Sequence, residues 1–313
     1  MKLAVIGGAN IDIRGITCDS FKFGTSNPGF IYKTSGGVAR NIAENLGRLR
    51  LRPTIFTVIG DDEEGKWLKK YTQQSGVDVS NIKCFSHERT GICLSILDEK
   101  REQIGSISDM KIMDKIDAAY IKSVSQSLVT AELSLVDTNI SHDTLVYIIN
   151  WLNERKVPVI VDPVSVKKCH KLKENLSKID LFLPNKEEAE TLSNIPIKSK
   201  GDLYRNAEFF LSKGLKKLVI TLGKEGVFAF SESEENFLFL RPPPIPPTRI
   251  KDSTGAGDAF AAGVIYGISK GQRLLEACKY GMVLSIITLE REETVAPDLT
   301  PELLEEKKKE IFH

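Results

Sequence analysis

Seven consecutive residues, Asp252-Ser253-Thr254-Gly255-Ala256-Gly257-Asp258, combine small backbone-exposing positions with two carboxylates. Gly255, Ala256 and Gly257 withdraw side-chain bulk where a backbone must come close to something, and the following Ala259-Phe260-Ala261-Ala262-Gly263 favours a helix. The free N–H groups of a first helical turn, reinforced by the helix dipole, make a cradle for an anion. A carboxylate beside a bound phosphate repels it, unless Asp258 takes the proton from a hydroxyl attacking that phosphate. The pattern therefore points to phosphoryl transfer. The plainer alternative is a tight turn into a helix, with Asp258 only complementing the dipole.

Such a motif needs a scaffold, and 313 residues suffice for one large α/β domain with a substantial core. The 43 basic and 42 acidic residues leave a formal charge of +1, so no whole-protein field recruits a nucleic-acid polymer or an anionic membrane. No apolar run approaches the length of a membrane span, and the opening residues are too short for a signal sequence. Cys18, Cys84, Cys93, Cys169 and Cys278 are scattered without a Cys-x-x-Cys pair and read as reduced, mostly buried thiols of a cytoplasmic protein. His87, His142, His170 and His313 are equally dispersed.

Taken in order, Lys2 to Ile6 reads as a buried strand, with Asn10 and Asp12 following Gly7-Gly8 at its carboxyl end, either as a turn or as a polar clamp for a hydroxylated substrate. Segments of about 13–34 and 90–108 read as the strands of a small β lid. Between them, Gly36-Gly37 opens an amphipathic helix with Val38, Ile42, Leu46 and Leu49 on one face and Asn41 one turn in. That glycine pair is read either as a hinge or as a close approach to a ligand. Strands near Thr54–Ile59, Leu133–Val136, Val157–Val161, Leu181–Leu183 and Lys217–Thr221 alternate with helices. The expectation is a doubly wound, mostly parallel sheet flanked by helices, 1–313 forming one domain with its lid. Val227–Phe230 and Phe237–Leu240 read as an antiparallel hairpin, and Asp137, Asp162, Asn185 and Gly223 each follow a strand and should gather on one edge.

Asn185 and Glu188 are three apart at a helix start, where they either hold the water shell of a magnesium ion or merely form a helix cap. Thr221, Gly223 and Gly226 follow a strand and either approach a nucleotide or form a hairpin turn. Neither a P-loop nor a Gly-x-Gly-x-x-Gly fingerprint occurs, and Gly267-Ile268-Ser269-Lys270-Gly271 follows a helix, not the strand that a nucleophile elbow requires.

In order, Gly36-Gly37 with Asn41, Asn185-x-x-Glu188 and Asp252 to Asp258 resemble the signature set of the ribokinase-like PfkB sugar and nucleoside kinases over essentially the whole chain. The resemblance implies an ATP-dependent kinase with a nine-or-so-stranded α/β domain and a lid closing over a small-molecule nucleoside or sugar. It implies Asp258 as base and Gly255, Ala256 and Gly257 as anion hole. Asn185 and Glu188 would organise Mg2+ and the phosphates, while Thr221, Gly223 and Gly226 would line the ATP site. Asn10, Asp12, Gly36, Gly37 and Asn41 would hold the substrate. Many relatives bind a monovalent cation such as K+ near the anion hole, and Asp252 and Thr254, with the loop from Arg291 to Thr294, are the matching places. Ser26-Asn27-Pro28-Gly29, Ser108-Asp109-Met110, Asp137-Thr138-Asn139-Ile140-Ser141 and Asp162-Pro163-Val164-Ser165 resemble the branch that phosphorylates the 5′ hydroxyl of pseudouridine, with Asn27 and Asn139 as further substrate contacts. Other expectations are a sugar or nucleoside kinase of ribokinase, fructokinase or adenosine/uridine kinase type, or a non-catalytic nucleoside sensor. An exposed lid edge would allow a homodimer.

Overall fold

A computed structural model describes residues 1–232 and 236–312; His313 and the connection at 233–235 lie outside them. The strands in chain order are β1 (Leu3–Ile6), β2 (Asn10–Thr17), β3 (Gly29–Gly36), β4 (Thr54–Gly60), β5 (Ile82–Phe85), β6 (Ile92–Leu97), β7 (Gln103–Asp109), β8 (Leu133–Asp137), β9 (Val159–Asp162), β10 (Leu181–Phe182), β11 (Lys217–Thr221), β12 (Val227–Ser231) and β13 (Asn236–Leu240). The helices are α1 (Val38–Arg48), α2 (Glu63–Gln74), α3 (Ala118–Leu128), α4 (His142–Glu154), α5 (Val166–Cys169), α6 (Lys186–Ser193), α7 (Lys200–Ser212), α8 (Ala256–Ser269), α9 (Leu274–Leu289) and α10 (Pro301–Phe312).

Nine strands form the main sheet in the order β13-β12-β11-β10-β9-β8-β1-β4-β5. From β11 to β5 every pairing is parallel, and β12 and β13 append the antiparallel hairpin that the sequence suggests. β1 is the switch point of the sheet, because the chain continues to β4 on one side and to β8 on the other. Crevices outside the carboxyl ends of such strands are where open α/β sheets place ligands.

β1 is buried on both faces because its side chains alternate between two cores. Leu3 and Val5 pack with Ile42 and Leu46 of α1 and Val264 of α8, and Ala4 and Ile6 pack with Tyr120 of α3 and Ile148 of α4. These two layers clamp the sheet and fix α1 and α8 on the same side of it.

β2, β3, β6 and β7 make a separate four-stranded sheet in the order β3-β2-β6-β7. Of the two readings of Asn10 and Asp12 it removes the turn, since they are the first and third residues of β2. The reason lies in the bond from the Ile11 N–H to the Gly91 carbonyl, which draws the chain into pairing only three residues after Gly8. The strands of this sheet begin at Asn10 and end at Asp109, wider than the 13–34 and 90–108 expected. The thiols also differ from expectation, since only Cys169 and Cys278 are buried while Cys18 and Cys84 are exposed. Among the described residues no helix is long and apolar enough to cross a membrane.

Candidate active site

Gly255 caps α8 in the left-handed region at φ 81°, and a methyl group there would overlap the Thr294 carbonyl. Only glycine meets both demands. Ser285 of α9 donates through Oγ to the Ala256 carbonyl at 2.7 Å, which steadies the first turn. Around Gly257 no atom lies within 4 Å of a would-be Cβ, so the open end of the helix faces free space.

Asp258 sits in that first turn, and its Oδ2 accepts the Asn41 Nδ2–H at 2.6 Å. Burial raises its carboxyl to about 7; the Asn41 bond and the Arg40 charge oppose the rise, and the nearby carboxylates Asp137 and Asp12 add to it. A carboxyl poised there is matched to a proton transfer at neutral pH.

Asn41 is aimed by Arg40. The Arg40 guanidinium, 1% exposed, donates to the Asn41 Oδ1, to the Gly36 carbonyl at 3.0 Å and the Ser35 carbonyl at 3.3 Å, and pairs with Glu44. Glu44 is in turn held by Arg48. With Oδ1 occupied by Arg40, the amide of Asn41 presents its N–H side to Asp258. Sequence reading passed over Arg40 and Glu44, although an acid four residues after a base on one helix was a usable signal.

Gly37 precedes α1 at φ 99°, and any side chain would overlap the Gly8 carbonyl, so the start of α1 lies against the loop after β1. The Asp137 carboxylate seals this junction. Its Oδ2 accepts from Gly8 N at 2.9 Å, Ala39 N at 3.0 Å and Asn139 Nδ2 at 2.9 Å, and its Oδ1 from Asn139 N at 2.9 Å. On β2, Asn10 donates to Asp12 at 2.7 Å, and Gly36 packs its bare Cα against the Asp12 carboxylate. Burial raises the Asp12 carboxyl above its usual range against the Asn10 bond and the Arg14 and Arg40 charges. Asn10, Asp12, Gly36, Gly37 and Asn41 are thus brought to one junction between β2, β3 and α1, opposite Asp258.

Asn139 stands beside this junction with its amide already committed, to Asp137 and, through Oδ1, to Lys168 Nζ at 2.5 Å. Asn27 is not brought there. Its amide closes the β2–β3 loop by bonding Lys22 and Thr25, beyond the Thr17–Gly29 end of a ladder whose other end is the Asn10–Gly36 pair.

On the other flank, Asn185 bridges to Thr221, and Asn185 and Glu188 form a reciprocal cap, with Glu188 N donating to Asn185 Oδ1 at 2.9 Å and Asn185 N to Glu188 Oε2 at 2.8 Å. Gly223 and Gly226 bracket a short helical turn between β11 and β12, closed by Leu222 N to the Gly226 carbonyl at 2.8 Å. Both plain structural readings therefore hold, and neither removes the backbone from the sheet edge where the other residues gather. Burial raises the Glu188 carboxyl, and Asp162 at the end of β9 is raised well above its usual range by burial and by the charges of Asp258, Glu188 and Asp137. A concentration of buried negative charge of this kind suits a divalent cation. Glu188 keeps one oxygen outside the cap, and among the described residues no three acids, cysteines or histidines cluster closely enough to ligate a metal directly. The residues fit Mg2+ held through water.

Asp252 is more heavily committed. Its Oδ1 accepts Thr254 N at 2.8 Å and its Oδ2 the guanidinium of Arg14 from β2. Burial works to raise this carboxyl, but those bonds outweigh it and hold it below its ordinary value.

Residues 1–301 match the pfkB family of carbohydrate kinases, and the chain belongs to that family. It is 37% identical to the pseudouridine kinase of Escherichia coli over 298 residues, 95% of this chain and 93% of that one. It is 26% identical to the ribokinase of Haemophilus influenzae across 92% of each chain. The Arabidopsis thaliana ribokinase solved with ribose and ATP superposes with a TM-score of 0.84 at 20% identity, covering 98% of each chain. The fold is ribokinase-like, and the protein is a sugar or nucleoside kinase that uses ATP to phosphorylate an alcohol group.

Proposed function

We propose that the acceptor is pseudouridine, phosphorylated at its 5′ hydroxyl. The 37% identity to a pseudouridine kinase along nearly the full length of both chains supports the substrate, and the 2.6 Å bond from Asn41 to Asp258 supports the chemistry. In this reading the small sheet acts as a lid over the nucleoside, and Asn10, Asp12, Gly36, Gly37 and Asn41 hold its ribose. Asp258 removes the hydroxyl proton as the oxygen attacks the terminal phosphorus of ATP, and the N–H groups of Gly255, Ala256 and Gly257 receive the phosphoryl oxygens. Asn185, Glu188, Thr221, Gly223 and Gly226 lie along the ATP side. Mg2+ bound there would neutralise phosphate charge, with Asn185 and Glu188 holding its water shell. A monovalent cation at Asp252 and Thr254 would compete with Arg14 for the same carboxylate. Asn139 acts through Asp137 and Lys168 on the wall of the nucleoside site. Self-pairing would use β3, an outer strand of the small sheet that exposes Phe30, Ile31 and Tyr32.

The test is a coupled ATP-turnover panel over pseudouridine, uridine, adenosine, ribose and fructose. Preference for pseudouridine is expected. A preference for ribose or fructose overturns the acceptor, and ligand binding without turnover of any acceptor would restore the sensor reading.

A further inference from the structure

Between the small sheet and the segment leading into α8 lies a cavity of about 500 Å3, lined by Asp12, Arg14, Arg101, Lys251, Asp252 and Thr254 among others. Three cationic side chains there face two carboxylates, one of them already neutralised by Arg14. A cavity with surplus positive charge that opens beside the Gly255 cap selects an anionic ligand.

Arg14 is the group best placed to meet one. Asp12 and Arg14 are two apart on β2 and so project from the same face of the strand. The guanidinium crosses to Asp252, 238 positions away in the chain and three before the α8 cap. That contact uses one of five N–H donors, which leaves the fork free to take further oxygens.

We propose that Arg14 is a catalytic residue that binds the transferred phosphoryl group, presented to it by the small sheet. The inference rests on the kinase reading above. The backbone N–H groups at the α8 start reach the phosphoryl oxygens from one side, and Arg14 reaches them from the cavity side, with Asp252 orienting the guanidinium beforehand. Because Asp12 and Arg14 share one strand face, a single seating of the sheet aligns acceptor and phosphoryl group together. In the step, the acceptor oxygen bonds to the terminal phosphorus and the bond from that phosphorus to the bridging oxygen breaks. The electron pair leaves with ADP, the hydroxyl proton goes to Asp258, and Arg14 only donates hydrogen bonds.

The full chain is assayed as Arg14→Met and Arg14→Lys with ATP and the acceptor the panel identifies. Failure of the parent to turn over any acceptor overturns the kinase reading and this proposal with it. With an active parent, Arg14→Met is expected to lower kcat roughly 100-fold, the scale of losing a preorganised transition-state donor. The acceptor KM, the ADP affinity and the thermal midpoint should stay near parent values, since the ion pair, 22% exposed on each side, still reaches solvent and adds only modestly to stability. Arg14→Lys, which keeps the charge but not the fork, should lose about tenfold in kcat. A kcat for Arg14→Met within about threefold of parent, far below what a preorganised donor supplies, overturns the proposal. So does a loss expressed in acceptor KM with a lowered midpoint, which would mark a purely structural latch. Should Arg14→Met not fold, an unchanged kcat for Arg14→Lys overturns the proposal, and a tenfold loss at an unchanged midpoint supports it.

Discussion

Asn41 and Asp258, 217 positions apart, meet at 2.6 Å between the first turns of α1 and α8. Arg40 holds the other end of the Asn41 amide, so the contact is a donor aimed at a carboxylate and not an interchangeable polar pair. Substituting Asp258 by Asn should preserve this bond, because the amide oxygen still accepts, while removing the base. Turnover is expected to fall by roughly 10²–10⁴ with a much smaller change in acceptor affinity. A coupled ADP-release assay checks it, and near-parent turnover would exclude Asp258 as the base.

In the proposed reaction the same carboxyl should set the acid limb of activity. Its proton is held to about 7, so kcat/KM should fall about tenfold per pH unit below that point. Asn41→Ala removes a bond that favours the ionised form, and the limb should move towards higher pH by on the order of one unit. A pH profile of the variant decides this, since loss of a neutral contact would lower the whole profile without moving its limb.

Stability follows the opposite sign. The folded state raises this carboxyl from 3.8 to about 7, so it binds the proton more tightly than the unfolded chain. The ionised group thus costs stability above pH 7, and that cost vanishes as pH falls through the window down to 3.8. Asp258→Asn should therefore be more stable than the parent at pH 8 by at most about 4 kcal/mol, with a smaller gain at pH 5. Urea titrations at the two pH values measure the difference.

What could be read from the chain followed from how each element is buried. β8 and β11 are apolar runs enclosed by helices, and α8 announces itself by its glycine cap and alanine run. Only the start of β2, ahead of the 13–34 segment read as lid strands, was concealed, because Asn10, Asp12 and Arg14 put polar side chains on one face of the strand, reversing the alternation that marks a strand with an apolar inner face. β5 is a four-residue edge strand with its middle exposed, too short for a period to emerge. Arg40 is a charge on an amphipathic helix, and its spacing to Glu44 marks an ion pair but not the burial of that pair against the carbonyls of β3. Asn27 spends its amide on Lys22 and Thr25 in the β2–β3 loop, a use that sequence cannot tell from a ligand contact because both ask for the same amide.

Gly255 and Gly257 are expected to separate folding from chemistry. Gly255→Ala forces a side chain into positive φ and onto the Thr294 carbonyl, so it should lower the thermal midpoint as well as activity. Gly257→Ala meets nothing in the protein and improves helix propensity by up to about 1 kcal/mol. Its midpoint should hold or rise while turnover falls at least about tenfold, because in the proposed reaction the methyl group would occupy the space of the phosphoryl oxygens. Thermal melts and turnover of the two variants side by side test the cradle.

Asp137 should prove structural. Its carboxylate gathers four N–H groups from the β1 loop, α1 and Asn139, and Asp137→Ala would leave those of Gly8 and Ala39 buried without an acceptor. The expected loss is roughly 3–5 kcal/mol, measured by urea denaturation. A loss below about 1 kcal/mol, less than one such orphaned donor costs, would show that the junction relaxes without it.

Glu188 offers a way to separate helix capping from metal handling. Gln at this position can still accept the Asn185 N–H, since Glu and Gln serve equally in the reciprocal cap. Glu188→Gln should therefore keep the stability of α6, and removing one of the buried carboxylates that crowd Asp162 should if anything relieve repulsion there. Loss of that charge weakens attraction for a hydrated divalent cation, so half-maximal turnover should require about tenfold more Mg2+, with the saturated rate less affected. Magnesium titrations at fixed ATP, run beside thermal melts, distinguish the roles. A lowered midpoint with an unchanged magnesium requirement would make Glu188 a cap and nothing more.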